Sequence, residues 1–499
     1  MLFLGIETGQ RGTRGIVLDL ESATVAAEES LPPVFVDGLP EGHREQDPAQ
    51  WIAAVNTVAR RCIAQLGERR ERLAALGVAG PLRGIVALDA DNRIVRPAKV
   101  EGDRSTMRQA EMIARAFGGA PGLIELTGNP LLPFHAAPAI LWLKQHEPRH
   151  FQHTATLLPP HDFINYWLTT GRRAEPCGAS ATGLLDVPRR QWCRELLDWI
   201  DPRLAGMLPE PAPALEPHGR LRPEVAAAWG LGHEVLVAAG APDLMASLAA
   251  AGCIAAGDLL VSLGPGTDIG CVSTVPVTDA RGEVAALCDV TGGWLCALAM
   301  TSGTRAAELI RQHYGWSPAE FEAMVAAAPA GAGGLLMLPY LEGERVPAVP
   351  DGCGVLHGIT HDNFTPDNLA RAAVEGVALG VGYGLSRLRD LGLAPAELRV
   401  TGTAAASAAW RQLLADVTGL PVTAPDAFRG PAMGAALQAA VAFFHHHGES
   451  LSFAELAAYA VGHHPAARAE PDGERHPVYQ QLVPRQQYLV DTLHPAGFL

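Results

Sequence analysis

The sequence predicts two α/β domains, and three observations predict them. Apolar strand segments alternate with helix-period segments along most of the chain. Two strand pairs enclose glycine-rich turns, "LFLGIETGQRGTRGIVLDL" at the start and "DLLVSLGPGTDIGCVSTV" past the middle. These echo one another, one near the start of each half. The length of 499 residues suits two large domains. The expected division is residues 1–235 and 236–499.

The elements follow in order. Residues 2–20 read as strand, turn, strand. In "EQDPAQWIAAVNTVARRCIAQLG", Asp47 is the expected N-cap and Pro48 the first helical residue. "LAALGVAG" and "IVALDADNRIV" read as strands, the second returning on itself through Asp89 to Asn92. Helical periods recur over 104–117, 136–146 and 161–169. The stretch 171–235, rich in Pro and Gly, ends the first domain. An apolar strand over 234–239 then meets a Gly-Ala-Pro-Asp turn and a small-residue helix. "PDNLARAAVEGVALGVGYGLSRLRDLG" reads as a long helix. "ELRVTG" and "PVTAP" read as strands, and "AAWRQLLADVTG" and "AMGAALQAAVAFF" as helices.

Composition narrows the function. A formal net charge of −15 argues against nucleic acid as the main partner, since a phosphate backbone needs a basic face. No run of about twenty apolar residues lacks a charge or a break, so no membrane span is expected. The start has no basic segment before its apolar run and is expected to be a strand rather than a signal peptide. The eight cysteines form no C-x-x-C and read as free thiols of a reducing cytoplasm.

Several residues could carry chemistry, each with a plainer alternative. Asp243 stands at the C-terminal end of a strand, where α/β proteins place ligands. It is either the N-cap of the following helix or a general base taking a proton from a hydroxyl. Backbone N–H groups of the two glycine turns can bind an anion, or the turns can be plain structure. Glu7 is a carboxylate of the kind Mg²⁺ prefers beside phosphates, or an exposed strand-end acid. The small residues after Gly402 let a planar group lie on the backbone, or only let a helix pack closely. Arg83 and Asp103 can bind hydroxyls, or belong to a solvated loop in which Asp103 caps the 104–117 helix. His445, His446 and His447 end a helix before Gly448 and do not share one face, so no metal site is expected there.

Taken together, these stretches resemble the FGGY carbohydrate kinases, in particular the xylulokinases. The likeness runs from about residue 2 to about 445. It is carried by "EQDPAQW", "LTGNPLLPFHAAPAILWLKQHEP", "LPYLEGERVP", "GVLHGITHDN", "LARAAVEGV", "WRQLLADVTGLPV" and "GPAMGAA". The resemblance implies two ribonuclease-H-like domains of the actin-like ATPase kind with a cleft between them. Sugar would bind mainly to the first and ATP to the second.

The implied reaction is phosphoryl transfer from MgATP to a sugar hydroxyl. "AGAPD" puts Asp243 at the family's catalytic base. The first turn departs from the family's G-I-D-x-G-T-x-G by Glu7 and Gln10, and keeps Gly9, Gly12 and a basic Arg14. The second turn offers Gly264, Gly266 and Thr267, but Pro265 removes one backbone donor. Gly303 joins this phosphate set, Gly402 and Thr403 the adenosine turn, and Glu7 would hold Mg²⁺. On the sugar side, Pro81-Leu82-Arg83 replaces the family's Q-M-H. Glu101-Gly102-Asp103-Arg104-Ser105 keeps the Asp of W-N-D-x-R and loses its aromatic residue. Phe134 stands near a substrate-lining position. The resemblance further implies a homodimer.

The leading reading is xylulose phosphorylation. A kinase for another ketose, a polyol or an aldonate, and a sugar- or nucleotide-binding pseudokinase with altered phosphate turns, stay open at this point. An actin-like ATPase without a sugar is disfavoured by the extent of the match.

Overall fold

The computed structural model describes residues 1–425, 428–449, 451–461 and 467–499. The chain forms two compact units. The first comprises Met1–Ile254, Thr274–Leu295 and Phe428–Val461. The second comprises Ala255–Ser273, Cys296–Ala427 and Gly462–Leu499. A single cut after residue 235 is one point along the chain, whereas these units interleave.

In the first unit, the strand Leu2–Gly9 is central. Alternate side chains of a strand face opposite ways. Leu2, Leu4 and Ile6 pack with Trp51, Val55 and Val58 of the helix Pro48–Gln65. Phe3 meets Phe443 edge-on, ring centroids 5.9 Å apart, on the helix Pro431–His446. Both faces are covered, which is why the stretch reads as continuous apolar sequence. Asp47 caps the first helix by accepting from the Ala49 N–H at 2.9 Å, with Pro48 at the first turn.

The sheet runs in the order Gly219–Arg220, Leu236–Val237, Leu73–Gly80, Leu2–Gly9, Gly12–Asp19, Thr24–Leu31, with Ala241–Pro242 also paired to Leu73–Gly80. Register places Glu7 opposite Ala79, and Ala79 opposite Ala241. These three strands are mutually parallel, so their C-terminal ends share one edge. Glu7, Pro81 and Asp243 therefore arrive at that edge together.

The helix Asp243–Ala250 packs closely on the helix Pro431–His446. A side chain on Gly434 would collide with the Ala246 carbonyl, and one on Gly77 with the Ala435 carbonyl. Glycine stands here because backbones approach to contact. The small residues of "LMASLAAAG" thus serve packing, and the packing fixes where Asp243 starts its helix.

In the second unit, Thr267–Ser273, Leu259–Leu263, Leu398–Thr401 and Val422–Thr423 lie side by side in that order. Leu259–Leu263 and Leu398–Thr401 are parallel, with Ser262 opposite Thr401. The long helix spans Pro366–Asp390, with Thr365 capping it through the Asn368 N–H. Two α/β units are present, as the alternating pattern predicts.

Some elements differ from expectation. The strand over 234–239 shrinks to Leu236–Val237, because Gly240 at φ +78° redirects the chain before Ala241–Pro242. The strand Val86–Asp89 pairs mainly with Thr154–Leu158, and its return through Asn92 leaves a single bridge, Leu88 to Ile94. The 104–117 helix is shorter, Met107–Ala116, with Thr106 at its N-cap. The helix ending in His446 is followed by Gly448 at φ +77°. No helix among the described residues is long and apolar enough to cross a membrane. The cysteines are free, and all but Cys353 are buried. Burial pushes Cys62, Cys271, Cys288 and Cys296 up to about 12, which leaves these thiols unreactive.

Candidate active site

The edge that collects Glu7 and Asp243 holds a pocket of about 300 Å³, part of it open to solvent. The first turn contributes Glu7, Gly9, Gln10 and Arg11 to its wall. Pro81 and Leu82 follow the neighbouring strand, and Glu101 and Asp243 complete the acidic side.

Asp243 is the first residue of its helix, and Pro242 is the N-cap. The N-cap reading is therefore off by one position. The carboxylate still serves the helix start, since its Oδ1 accepts the Leu244 N–H at 2.9 Å. Its Oδ2 lies 3.5 Å from Arg11 Nη2. About a third of the side chain reaches solvent. Burial holds its pKa above the usual aspartate range, with Glu101 adding to the rise and Arg11 opposing it.

Arg11 Nη2 also lies 3.4 Å from Glu7 Oε1. One guanidinium thus faces two carboxylates. Glu7 is largely buried, and this raises its pKa against the lowering charge of Arg11. Arg11 lies within the first glycine turn, and nothing in the sequence around it gives it a role. Only the register that brings Asp243 beside the turn reveals one.

Arg14 does not line this pocket. It pairs with Glu28 through Nε at 2.8 Å and donates to the Arg429 carbonyl at 3.1 Å. Gly9 and Gly12 close a two-residue turn as paired strand ends.

The sugar-side residues separate. Arg83 is buried, lies over the Phe134 ring at 4.7 Å and donates to Glu101 at 3.1 Å. Asp103 is 1% exposed and lies outside the pocket wall. Its Oδ2 accepts from the Arg44 N–H at 2.8 Å and from Lys99 at 3.3 Å, and its Oδ1 accepts from the Ser105 N–H at 3.0 Å. It therefore neither caps the Met107–Ala116 helix nor faces the pocket. Lys99 also donates to Glu45 at 3.0 Å. His43, Glu45 and Asp103 have the spacing of a metal cluster, but the Lys99 ammonium holds the centre. Glu101, two residues before Asp103, is the acid of this loop that reaches the pocket.

Behind the pocket edge sits a buried cluster that the sequence reading missed. His161 Nε2 is 3.4 Å from Asp162 Oδ1 and 3.6 Å from Glu175 Oε2, all three within the core. Burial pushes Asp162 up to about 7. Burial would lower His161, but the two carboxylates outweigh it and the net shift is upward. His161 and Asp162 begin a helical period, where charged neighbours read from sequence as an exposed face, and Glu175 comes from the N-cap of a later helix that only the fold brings alongside.

In the second unit, parallel pairing sets Gly402 beside Leu263, next to the turn 264–266. A side chain on Gly402 would strike Leu263, and one on Gly303 would strike the Gly264 and Pro265 carbonyls. Gly264, Gly266, Gly303, Gly402 and Thr403 are thereby gathered at one sheet edge. The Thr304 N–H and hydroxyl both donate to the Gly264 carbonyl, at 2.7 and 3.0 Å. Thr267 is buried and its hydroxyl donates to the Ser302 carbonyl at 2.8 Å. Glu344 accepts the Thr301 and Ser302 N–H groups at 2.7 and 3.0 Å, fixing the neighbouring segment. A recess of about 230 Å³ here is lined by Pro265, Ser302, Gly303 and Arg305 among others.

Comparison with known proteins adds an independent line. Residues 2–250 match the N-terminal domain, and residues 275–443 the C-terminal domain, of the FGGY family of carbohydrate kinases. The chain is 31% identical over 455 residues to a xylulose kinase of Escherichia coli, covering 88% of this chain and 90% of that protein. It is similar to the crystal structure of a xylulose kinase from Rhodospirillum rubrum, with TM-score 0.91, 28% identity and coverage of 99% of each chain. A gluconate kinase from Lactobacillus acidophilus shares the fold with TM-score 0.90 at 21% identity, covering 99% of this chain and 98% of that one.

Proposed function

As the chain belongs to the FGGY family of carbohydrate kinases, we propose that it transfers the γ-phosphoryl group of MgATP to a hydroxyl of a small sugar, with D-xylulose the first acceptor to test. The observation that carries this reading is Asp243 at the pocket wall, one oxygen on the Leu244 N–H and the other toward Arg11. A carboxylate so oriented can accept a hydroxyl proton. The xylulose choice is supported by the names of the relatives, and the fold shared with a gluconate kinase shows why the fold by itself names no acceptor.

In the proposed reaction the acceptor hydroxyl gives its proton to Asp243 as its oxygen bonds to the γ-phosphorus. The bond from that phosphorus to the bridging oxygen breaks, and ADP leaves with the electron pair. Gly9, Gln10 and Gly12 would offer backbone N–H groups to phosphate in the first unit. Gly264, Gly266 and Gly303 would do so in the second, with Gly402 and Thr403 against the adenosine. Thr267 would contribute through its backbone, since its hydroxyl is engaged inward. Arg14, held by Glu28 and the Arg429 carbonyl, would act only as a distant charge.

Glu7 suits a divalent ion arriving with the nucleotide. Its carboxylate and that of Asp243 already face one cationic group, Arg11, so the place tolerates positive charge. Magnesium there would offset the phosphate charge.

The test is ADP release with D-xylulose, other ketoses, polyols and gluconate as acceptors. The wild type is expected to release ADP with at least one, and Asp243→Ala to lose about 10²–10⁴-fold in kcat while keeping its fold. Near-normal turnover in that variant would remove Asp243 from the mechanism. A second reading, a binding protein without turnover, draws on Pro265 and the inward Thr267 hydroxyl, which remove two phosphate donors. Nucleotide binding with no ADP release from any acceptor would favour it.

A further inference from the structure

We propose that Glu101, clamped by Arg83, is the acceptor-gripping carboxylate of the pocket, and that it selects neutral polyhydroxyl compounds over sugar acids. This rests on reading the Asp243 pocket as the acceptor site.

The loop 101–105 holds two acids, and the structure divides their work. Asp103 is sealed in the core, with both oxygens bound to Arg44, Lys99 and Ser105. Glu101 lines the pocket with about a third of its side chain exposed. Between them, Gly102 at φ +91° turns the loop so that the two side chains part.

Glu101 is a fixed group rather than a loose surface acid. Arg83 donates to its Oε1 at 3.1 Å. Arg83 is itself 7% exposed and braced on the Phe134 ring at 4.7 Å, a cation–π contact. The guanidinium, itself held on the ring, gives the carboxylate a fixed partner. A carboxylate can accept several hydrogen bonds at once, and the part of Glu101 that reaches the pocket is placed to accept from acceptor hydroxyls. The preorganised geometry lowers the cost of ordering that acceptor.

Charge sets the selectivity. The pocket wall carries three carboxylates, Glu7, Glu101 and Asp243. Arg11 already faces two of them, and Arg83 sits on the third from the buried side. A sugar acid would bring a fourth carboxylate against this set. Arg83 is buried and already paired with Glu101. Neutral hydroxyls meet no such repulsion and find acceptors for their protons. A charge-repelling pocket discriminates by what it rejects as much as by what it holds.

The experiment is calorimetric titration without nucleotide, so that its result does not depend on turnover. D-Xylulose, xylitol and gluconate are titrated into the wild type, Glu101→Gln and Glu101→Ala. At least one neutral compound is expected to bind the wild type 10-fold or more tightly than gluconate. Glu101→Ala is expected to weaken that compound 10-fold or more. Glu101→Gln keeps an acceptor oxygen and loses the charge, so it should retain neutral binding within a few-fold and narrow the gap to gluconate. This variant also serves if the alanine form does not fold. The proposal is overturned by gluconate binding as tightly as the neutral compounds, by unchanged affinity in the folded alanine variant or in a glutamine variant whose gap to gluconate stays the same, or by no neutral compound binding. Failure of the kinase reading shows separately, as absent ADP release from a chain that still binds.

Discussion

Arg11 and Asp243, 232 positions apart in the chain, meet at 3.5 Å across the pocket edge. The pair ties the first turn to the proposed base. The base works deprotonated, so kcat/KM should fall as pH drops through the Asp243 pKa, which lies above the ordinary aspartate value. Arg11 opposes that rise. Arg11→Gln should therefore move the acid limb of the pH–rate profile to higher pH. Arg11 is two-thirds exposed, so the move should be modest and smaller at high salt. A profile that stays in place in the variant would mean that the 3.5 Å pair has no electrostatic effect on the base.

Lys99 should prove a structural residue. It sits against Glu45 and Asp103, both nearly inaccessible. Lys99→Met leaves two buried carboxylates short of a partner, at a cost of about 3–5 kcal/mol. Urea unfolding measures this. A cost under about 1 kcal/mol would return the network to the class of weak surface pairs.

The His161 cluster predicts a pH dependence of stability. Asp162 titrates near 7 in the folded chain against an ordinary 3.8, so the folded state holds the proton more tightly. Its contribution is full below about pH 4 and is lost as pH rises toward 7. His161, raised above 6.5, adds a loss of the same sign beyond that pH. Asp162→Asn should flatten the fall in Tm between pH 5 and 8. An identical slope in wild type and variant would locate the titration elsewhere.

Gly434→Val should destabilise by about 1–3 kcal/mol or more, since its new side chain meets the Ala246 carbonyl. The shift reads directly as a lowered urea midpoint. Asp243 begins the helix that must yield, so ADP release should fall as well. A folded variant with full activity would show that the helix pair can part without moving the base.

Local signals were legible where the cause is local. The Asp47–Pro48 cap, the Pro366–Asp390 helix and both glycine hairpins follow from neighbouring residues alone. Asp243 was singled out for its place after a strand, although its cap role missed by one residue. Arg11 and Glu101 were seen as residues but carried no role, because their partners lie far along the chain.

The sequence by itself determined the two α/β units and the family, because burial periodicity, caps and turn glycines act over a few residues and accumulate over hundreds. Tertiary structure decided which polar groups meet. Asp103 and Glu101 look alike in the chain, yet one is sealed by Arg44, Lys99 and Ser105 and the other faces the pocket beside Asp243. The reason is physical: a carboxylate's role depends on its solvation and on the charges within a few ångströms. Both are set by strand register and loop direction rather than by residue type.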